Sequence, residues 1–157
     1  MSKFQFENGF YRANLTPPKD ILESVKKRDW GQVDHLCGRL VKEDGALFQL
    51  LYPLAGQSRI EFIINVRDAK NSWEEDGIWH DDGSRILAFS MGLNLAPETI
   101  KGGELLIRPK GVSASQRLGP PAIGEVVIFK TGVDGFEHKV LKVEQGQRVV
   151  MAGWCYQ

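Results

Sequence analysis

The sequence predicts an α+β fold, with helices ahead of a closed or sandwiched antiparallel sheet. Two observations carry this prediction. Apolar residues recur at helical spacing only in the first part of the chain. From residue 59 onward, short β-branched and aromatic runs are separated by clusters of Gly, Pro, Asn and Asp. Runs of strands after a run of helices are the pattern of an α+β domain. No linker-like stretch divides the chain, so residues 1–157 are expected to form one domain, helical to about residue 55 and sheet-forming from about residue 59.

The first helix is expected over residues 16–30. Thr16 can cap it, Pro17 suits its first position, Ile21, Leu22 and Val25 form an apolar stripe, and Gly31 can end it. A second helix is expected from about Gln32 to Lys42. There Val33, Leu36, Cys37, Leu40 and Val41 follow the i, i+3, i+4, i+7, i+8 pattern. Residues 46–54 are apolar without a decisive period. Strand-like runs cover residues 59–67, 77–80, 85–95, 103–108, 125–130, 138–143 and 148–154, and a core of about eight strands is expected. Residues 68–76 read as a polar loop.

Alternation assigns faces to two of these strands. Leu87, Phe89, Met91, Leu93 and Leu95 share one bulky apolar side, which should pack on helices or a second sheet. Ile86, Ala88, Ser90, Gly92 and Asn94 share the other, where small residues leave room for a cavity. In the last strand Arg148 shares a face with Val150, Ala152 and Trp154. A charge set among apolar neighbours calls for an anion.

Composition narrows the function classes. Twenty basic residues balance twenty acidic ones, which gives no electrostatic case for nucleic-acid or membrane partners. No apolar run has the length of a signal peptide or a bilayer span. Cys37 and Cys155 are too few and too isolated for a disulfide framework or a thiolate metal site. The expected compartment is the cytoplasm.

Two short strings carry chemistry. His80-Asp81-Asp82 is an H-x-D, and His138 is followed by Arg148. If residues 80–82 lie on a strand, His80 and Asp82 point the same way and Asp81 points away. His138 must then come from another strand. Two imidazoles and one carboxylate suit non-haem iron(II) with open coordination positions. H-x-D alone is a weak signal, and the combination with His138 and a downstream cation is a stronger one.

Together with their surroundings these strings resemble the 2-oxoglutarate and iron(II)-dependent oxygenases, in the prolyl-4-hydroxylase-like branch. The matching stretches are Trp79-His80-Asp81-Asp82-Gly83-Ser84, Gly92-Leu93-Asn94, Gly102-Gly103-Glu104-Leu105 and Gly124-Glu125-Val126-Val127-Ile128-Phe129. His138-Lys139-Val140, Val143, Gly146, Arg148 and Trp154 complete the match. The resemblance covers about half of the chain. It implies a double-stranded β-helix, or jelly-roll, core with the N-terminal helices packed on its larger sheet. It implies that His80, Asp82 and His138 ligate Fe(II) and that Arg148 binds the distal carboxylate of 2-oxoglutarate. With O2, 2-oxoglutarate would be decarboxylated to succinate and CO2, and a C–H bond of a peptidyl or small-molecule substrate would be hydroxylated. Leu105, Val140 and Trp154 match apolar wall positions. Some members place a tyrosine where Gly92 stands here, and Ser90 on the same face could supply a hydroxyl in its place.

Other polar residues have simpler readings. His35 is expected to be structural or exposed, and Asp81 to lie beside the ligands or in solvent. Arg85 is expected in a salt bridge, Arg108 and Lys110 at solvated strand ends, and Glu104 in a structural role. Trp73 could cover the site from the polar loop that holds Glu74 and Glu75. Two alternatives stand beside the oxygenase reading. A cupin-like metal enzyme would do without 2-oxoglutarate, but its usual H-x-H followed by Glu is not present. A non-catalytic jelly-roll binding protein has no need to keep all three ligands and the cation.

Overall fold

The structure is a computed structural model that describes residues 10–71, 76–133 and 135–157. Trp73, Glu74 and Glu75 lie outside the described residues. The chain begins with strand β1 (Phe10–Asn14) and continues through helices α1 (Lys19–Lys26), α2 (Trp30–Cys37) and α3 (Ala46–Ala55). Strands β2 (Arg59–Asp68), β3 (Leu87–Gly92), β4 (Lys101–Gly102), β5 (Leu105–Pro109) and β6 (Gln116–Leu118) follow. The last are β7 (Glu125–Lys130), β8 (Phe136–Val140), β9 (Val143–Gln145) and β10 (Gln147–Tyr156).

The strands form a five-stranded sheet in the order β1-β7-β3-β10-β2 and a three-stranded sheet in the order β6-β5-β8. A short β4-β9 pair completes them. Every strand-to-strand ladder is antiparallel. This is the α+β, double-stranded β-helix architecture that the sequence led us to expect.

Alternation along the larger sheet builds two cores. From β3 and β7, Leu87, Phe89, Met91, Val126 and Ile128 join Ile21, Val25, Val33, Leu47 and Leu51 of the helices in the main core. From the opposite faces, Ala88, Val127 and Phe129 meet Leu105 and Ile107 of the three-stranded sheet. The helices thus cover the outer face of the five-stranded sheet, and the inner face is left for a cavity.

Several boundaries differ from the sequence-based expectation. Strand β1 lies in the part expected to be helical. It is short and carries Arg12, but Phe10 faces the inner core while Tyr11 and Ala13 pack toward the helices. The helix expected over 16–30 is shorter, Lys19–Lys26, and the second begins at Trp30 and not at about Gln32. Arg28 adopts a left-handed φ of 57°, and Asp29 caps a new helix by accepting from the Gln32 N–H at 3.1 Å. Gly31 therefore starts α2 and does not end α1. After Cys37 the chain tightens into a 3₁₀ turn, Gly38–Val41. Residues 46–54 are helical, with Pro53 in the final turn. Only His80 of residues 77–80 is paired, and residues 138–143 divide between β8 and β9.

The expected strand over 85–95 ends at Gly92. A Cβ there would meet the Ala122 carbonyl oxygen at 2.1 Å. Leu95, expected in the core, is consequently 51% exposed. Among the described residues no helix is long and apolar enough to cross a membrane.

Cys37 and Cys155 are both free and fully buried. Burial, aided by Asp34, pushes the Cys37 thiol up to about 12, and burial pushes Cys155 up to about 11. Only the thiolate is nucleophilic. The native protein should leave both thiols unmodified by a disulfide-exchange reagent at pH 8, and denaturation should release both. Rapid native reaction of either one would contradict this packing.

Candidate metal centre

His80 and His138 meet through their backbones. The His80 N–H donates to the His138 carbonyl at 3.0 Å, and the His138 N–H donates back at 2.9 Å. This isolated antiparallel bridge sets the two side chains opposite each other, with ring centroids 4.2 Å apart. Phe129 presses on the His138 ring in an edge-on contact at 4.8 Å.

Asp82 joins them by a different route from the one expected. Residues 81 and 82 are not in a strand. Asp82 adopts φ 63° and Gly83 φ 64°, so a left-handed turn swings the carboxylate back toward the imidazoles. Aspartate tolerates this region better than most residues, and such backbone strain gathers at functional sites. The Asp82 Oδ2 lies 3.2 Å from the His138 Nε2, and its Oδ1 lies 3.5 Å from the His80 Nε2. Ligand atoms of the three residues all lie within 4.8 Å of one another.

The surroundings prepare these groups to bind a cation. The His80 Nδ1 lies 2.9 Å from the Ile78 carbonyl oxygen. A carbonyl can only accept, so Nδ1 carries the hydrogen and Nε2 keeps its lone pair for a ligand. Burial works against ionisation of Asp82. Its hydrogen bond to His138, the charge there and the Trp154 contact outweigh burial and hold the carboxyl below its usual range. The Trp154 indole N–H donates to the Asp82 Oδ2 at 2.9 Å. Trp154 is in turn covered by the Arg85 guanidinium, 4.7 Å from its ring centroid, and Arg85 is held by Glu61 at 2.8 Å. Arg85 is thus in the expected salt bridge, and Trp154 contacts the site directly as well as packing.

Asp81 points away, as expected, but it is tied down. Its carboxylate takes Lys110 at 2.7 Å and the Gly83 N–H at 2.9 Å, and its carbonyl takes the Thr131 hydroxyl at 2.5 Å. Lys110 also donates to the Gly132 carbonyl at 3.0 Å and to that of Val133 at 2.5 Å. It pins the turn that carries Asp82 to the loop after β7 and is not merely solvated. Arg108 pairs with Glu137 and stacks 3.8 Å from the Trp79 ring centroid. Glu104 pairs with Arg117. His35 is exposed and is not part of the cluster.

His80 and His138 open into a cavity between the sheets. Leu105, Val140 and Trp154 form part of its wall, as do Ser90, Val150 and Ala152. Arg148 lies in it as well. It is 4% exposed, and its Nε has no hydrogen-bond partner among the described residues. Burial and the nearby charge of Arg67 push Arg148 down to about 10, so it stays charged at neutral pH. Gly92 offers no room for a tyrosine, because the backbone of residues 121–122 fills that space.

The sequence reading missed the contribution of β2. Ile63, Asn65 and Arg67 also line the cavity, and Asp76 pairs with Arg67 at 2.8 Å. The signal was present as Asn65 and Arg67, two polar residues at alternate positions in an apolar run.

The sequence pattern of the 2OG-Fe(II) oxygenase superfamily, where 2OG is 2-oxoglutarate, matches residues 66–156. The chain belongs to this superfamily. Solved structures agree in fold. A Pseudomonas putida prolyl-4-hydroxylase has a TM-score of 0.60 at 18% identity, with 96% of this chain and 89% of that one covered. A Trichoplax adhaerens prolyl hydroxylase, solved with a hypoxia-inducible-factor peptide fragment, has 0.60 at 14%, covering 95% and 84%. The α-ketoglutarate-dependent carbocyclase SnoK from nogalamycin biosynthesis has 0.62 at 14%, covering 98% and 81%. No curated protein matches the chain.

Family and donor set together identify a dioxygenase that uses Fe(II), 2-oxoglutarate and O2. This decides against the cupin-like and non-catalytic alternatives. Partners of metal ligands commonly set affinity within about 10- to 100-fold. Trp154→Phe keeps most of the ring and removes the N–H donated to Asp82. It should lower iron(II) affinity by roughly that factor in anaerobic titration. An unchanged affinity would show that the indole contact is incidental.

Proposed function

We propose that His80, Asp82 and His138 hold one iron(II) and that Arg148, with Ser90 farther along the same cavity wall, receives the distal carboxylate of 2-oxoglutarate. The substrate is a peptidyl residue or a small molecule, hydroxylated with release of succinate and CO2. The observation that carries this reading is a shared cavity. The three ligands and a buried guanidinium with an unpartnered Nε face the same space.

Each residue has a defined task. The two imidazoles and the carboxylate would hold the ion, a donor set that suits non-haem iron(II) with open positions. The iron, with 2-oxoglutarate and O2, supplies the oxidising power for C–H chemistry. Arg148 offers a planar fork that grips a carboxylate through two charge-assisted hydrogen bonds. Ser90 is buried on the same wall and can add a hydroxyl. Val150, Ala152 and Leu105 line the space between and exclude water. His80 is the most open ligand, with its side chain 29% exposed against 9% for Asp82 and for His138. Substrate therefore approaches from the His80 side.

The relatives support both substrate classes, since one was solved with a peptide fragment and another is a carbocyclase. We read the chain as one domain over residues 1–157, helical to about residue 55. Its two free, buried thiols suit a reducing cytoplasm. Its balanced charge does not favour nucleic acid as a partner.

The test is succinate formation from 2-oxoglutarate by iron-loaded protein in air, alongside 2-oxoglutarate affinity measured anaerobically. Asp82→Ala should abolish turnover. Arg148→Ala should weaken 2-oxoglutarate by roughly 30- to 1000-fold, the equivalent of about 2–4 kcal/mol, and should leave iron affinity nearly unchanged. Turnover at the parent rate in Asp82→Ala, or parent affinity in Arg148→Ala, would overturn the assignment of that residue.

A further inference from the structure

The inner end of the cavity holds two guanidiniums. In the β10-β2 ladder Arg148 stands directly opposite Arg67. Side chains so paired leave the sheet on the same face with Cβ atoms roughly 5 Å apart, and like charges there repel. Both arginines line the cavity, Arg67 at 8% exposure and Arg148 at 4%.

Arg67 is held in place. Its Nη1 pairs with the Asp76 Oδ1 at 2.8 Å, and its Nε donates to the Asn65 Oδ1 at 3.1 Å. Asp76 balances one of the two positive charges. No carboxylate lines the cavity itself among the described residues. The stem of Arg148 is also fixed, since Gly103 at φ 71° lies so close that a Cβ there would be 2.9 Å from the Arg148 Cδ. Two immobilised cations facing one another in a dry space form a receptor for a single anion.

Position along β2 indicates which anion. On its cavity face Ile63 is 45% exposed, whereas Asn65 is 7% and Arg67 is 8% exposed. The cavity is open at Ile63 and closed at Arg67. A group that reaches Arg67 is at the inner end of a bound molecule, level with Arg148.

We propose that Arg67 is a second anchor for the distal carboxylate of 2-oxoglutarate, gripping it jointly with Arg148 while Asp76 and Asn65 hold the Arg67 fork in position. The proposal rests on the reading that Arg148 binds this carboxylate. It adds a specificity determinant. With two cations at the inner end, a 2-oxo acid that lacks the distal carboxylate forgoes the contact with Arg67 as well as that with Arg148, and is rejected more strongly than by Arg148 alone. It also gives Arg67 a role in binding, where a structural ion pair would have none.

The experiment compares two acids across a variant series. Calorimetric affinities of 2-oxoglutarate and 2-oxopentanoate, which carries a methyl group where the distal carboxylate would be, are measured anaerobically on iron(II)-loaded protein. Arg67→Gln should weaken 2-oxoglutarate by about 10-fold or more and change 2-oxopentanoate by less than about 2-fold. Arg67→Lys should recover part of the loss, because it keeps the charge without the fork. Asp76→Asn keeps Arg67 charged and should hold 2-oxoglutarate within about 3-fold of the parent, or tighten it. Equal weakening of both acids by Arg67→Gln would overturn the proposal, as would Asp76→Asn behaving like Arg67→Gln. Either result would reduce Arg67–Asp76 to a structural pair. Should Arg67→Gln not fold, Arg67→Lys and Asp76→Asn still decide. Arg148→Ala in the same series separates the two levels. If it binds 2-oxoglutarate like the parent, the underlying site assignment fails, whatever Arg67 does.

Discussion

The site depends on one pair of backbone hydrogen bonds, those that join His80 to His138. Lys110, Thr131 and Trp154 then tie the neighbouring residues Asp81 and Asp82 to distant strands. His138 is already paired to Ile107 in the three-stranded sheet, so its place is set by that ladder. The bridge extends the sheet by a single residue and places the second imidazole beside the first. The left-handed turn at Asp82 and Gly83 then returns the carboxylate to the same spot. The larger sheet contributes through Trp154, whose indole holds that carboxylate. A metal bound here would be gripped by elements anchored to both sheets. Its affinity and the packing of the two sheets are therefore linked quantities.

The second constraint is electrostatic. The fold places Arg148 and Arg67 on the inner face of the larger sheet and largely removes both from water. Burying charge is unfavourable unless it is paired, and the guanidinium does not escape the cost by losing its proton. Asp76 answers for Arg67, and the Arg148 Nε has no partner among the described residues. Under the proposed assignment, a dianionic co-substrate would relieve that imbalance.

Much of this was legible in the sequence, because strand alternation is a strong rule. It placed Leu87, Phe89 and Met91 in the helix-facing core, and Ala88 and Ser90 on the cavity side. It put Arg148, Val150, Ala152 and Trp154 on one face of the last strand. The H-x-D with a distant His was legible because few residue types make an iron site. Where the reading failed, a local backbone event overrode the pattern. Arg28 in a left-handed conformation ended the first helix short of residue 30, and close approach of residues 121–122 ended a strand at Gly92. His80 and Asp82 converge through a turn, although alternation along a strand gave the same expectation. The opposition of Arg67 and Arg148 was not legible, since it depends on the register between strands some eighty residues apart in sequence.

The central claim is that one ion on His80, Asp82 and His138 and one 2-oxoglutarate at the arginine end share a single cavity. Anaerobic titration of the protein with iron(II) and then 2-oxoglutarate, followed by visible absorption, tests it most directly. A chelated 2-oxo acid on iron(II) gives a weak charge-transfer band. That band should grow to saturation at one iron and one 2-oxoglutarate per chain, and His138→Ala should not develop it. If 2-oxoglutarate bound tightly to the iron-loaded protein without producing the band, metal and co-substrate would occupy separate places, contrary to this account.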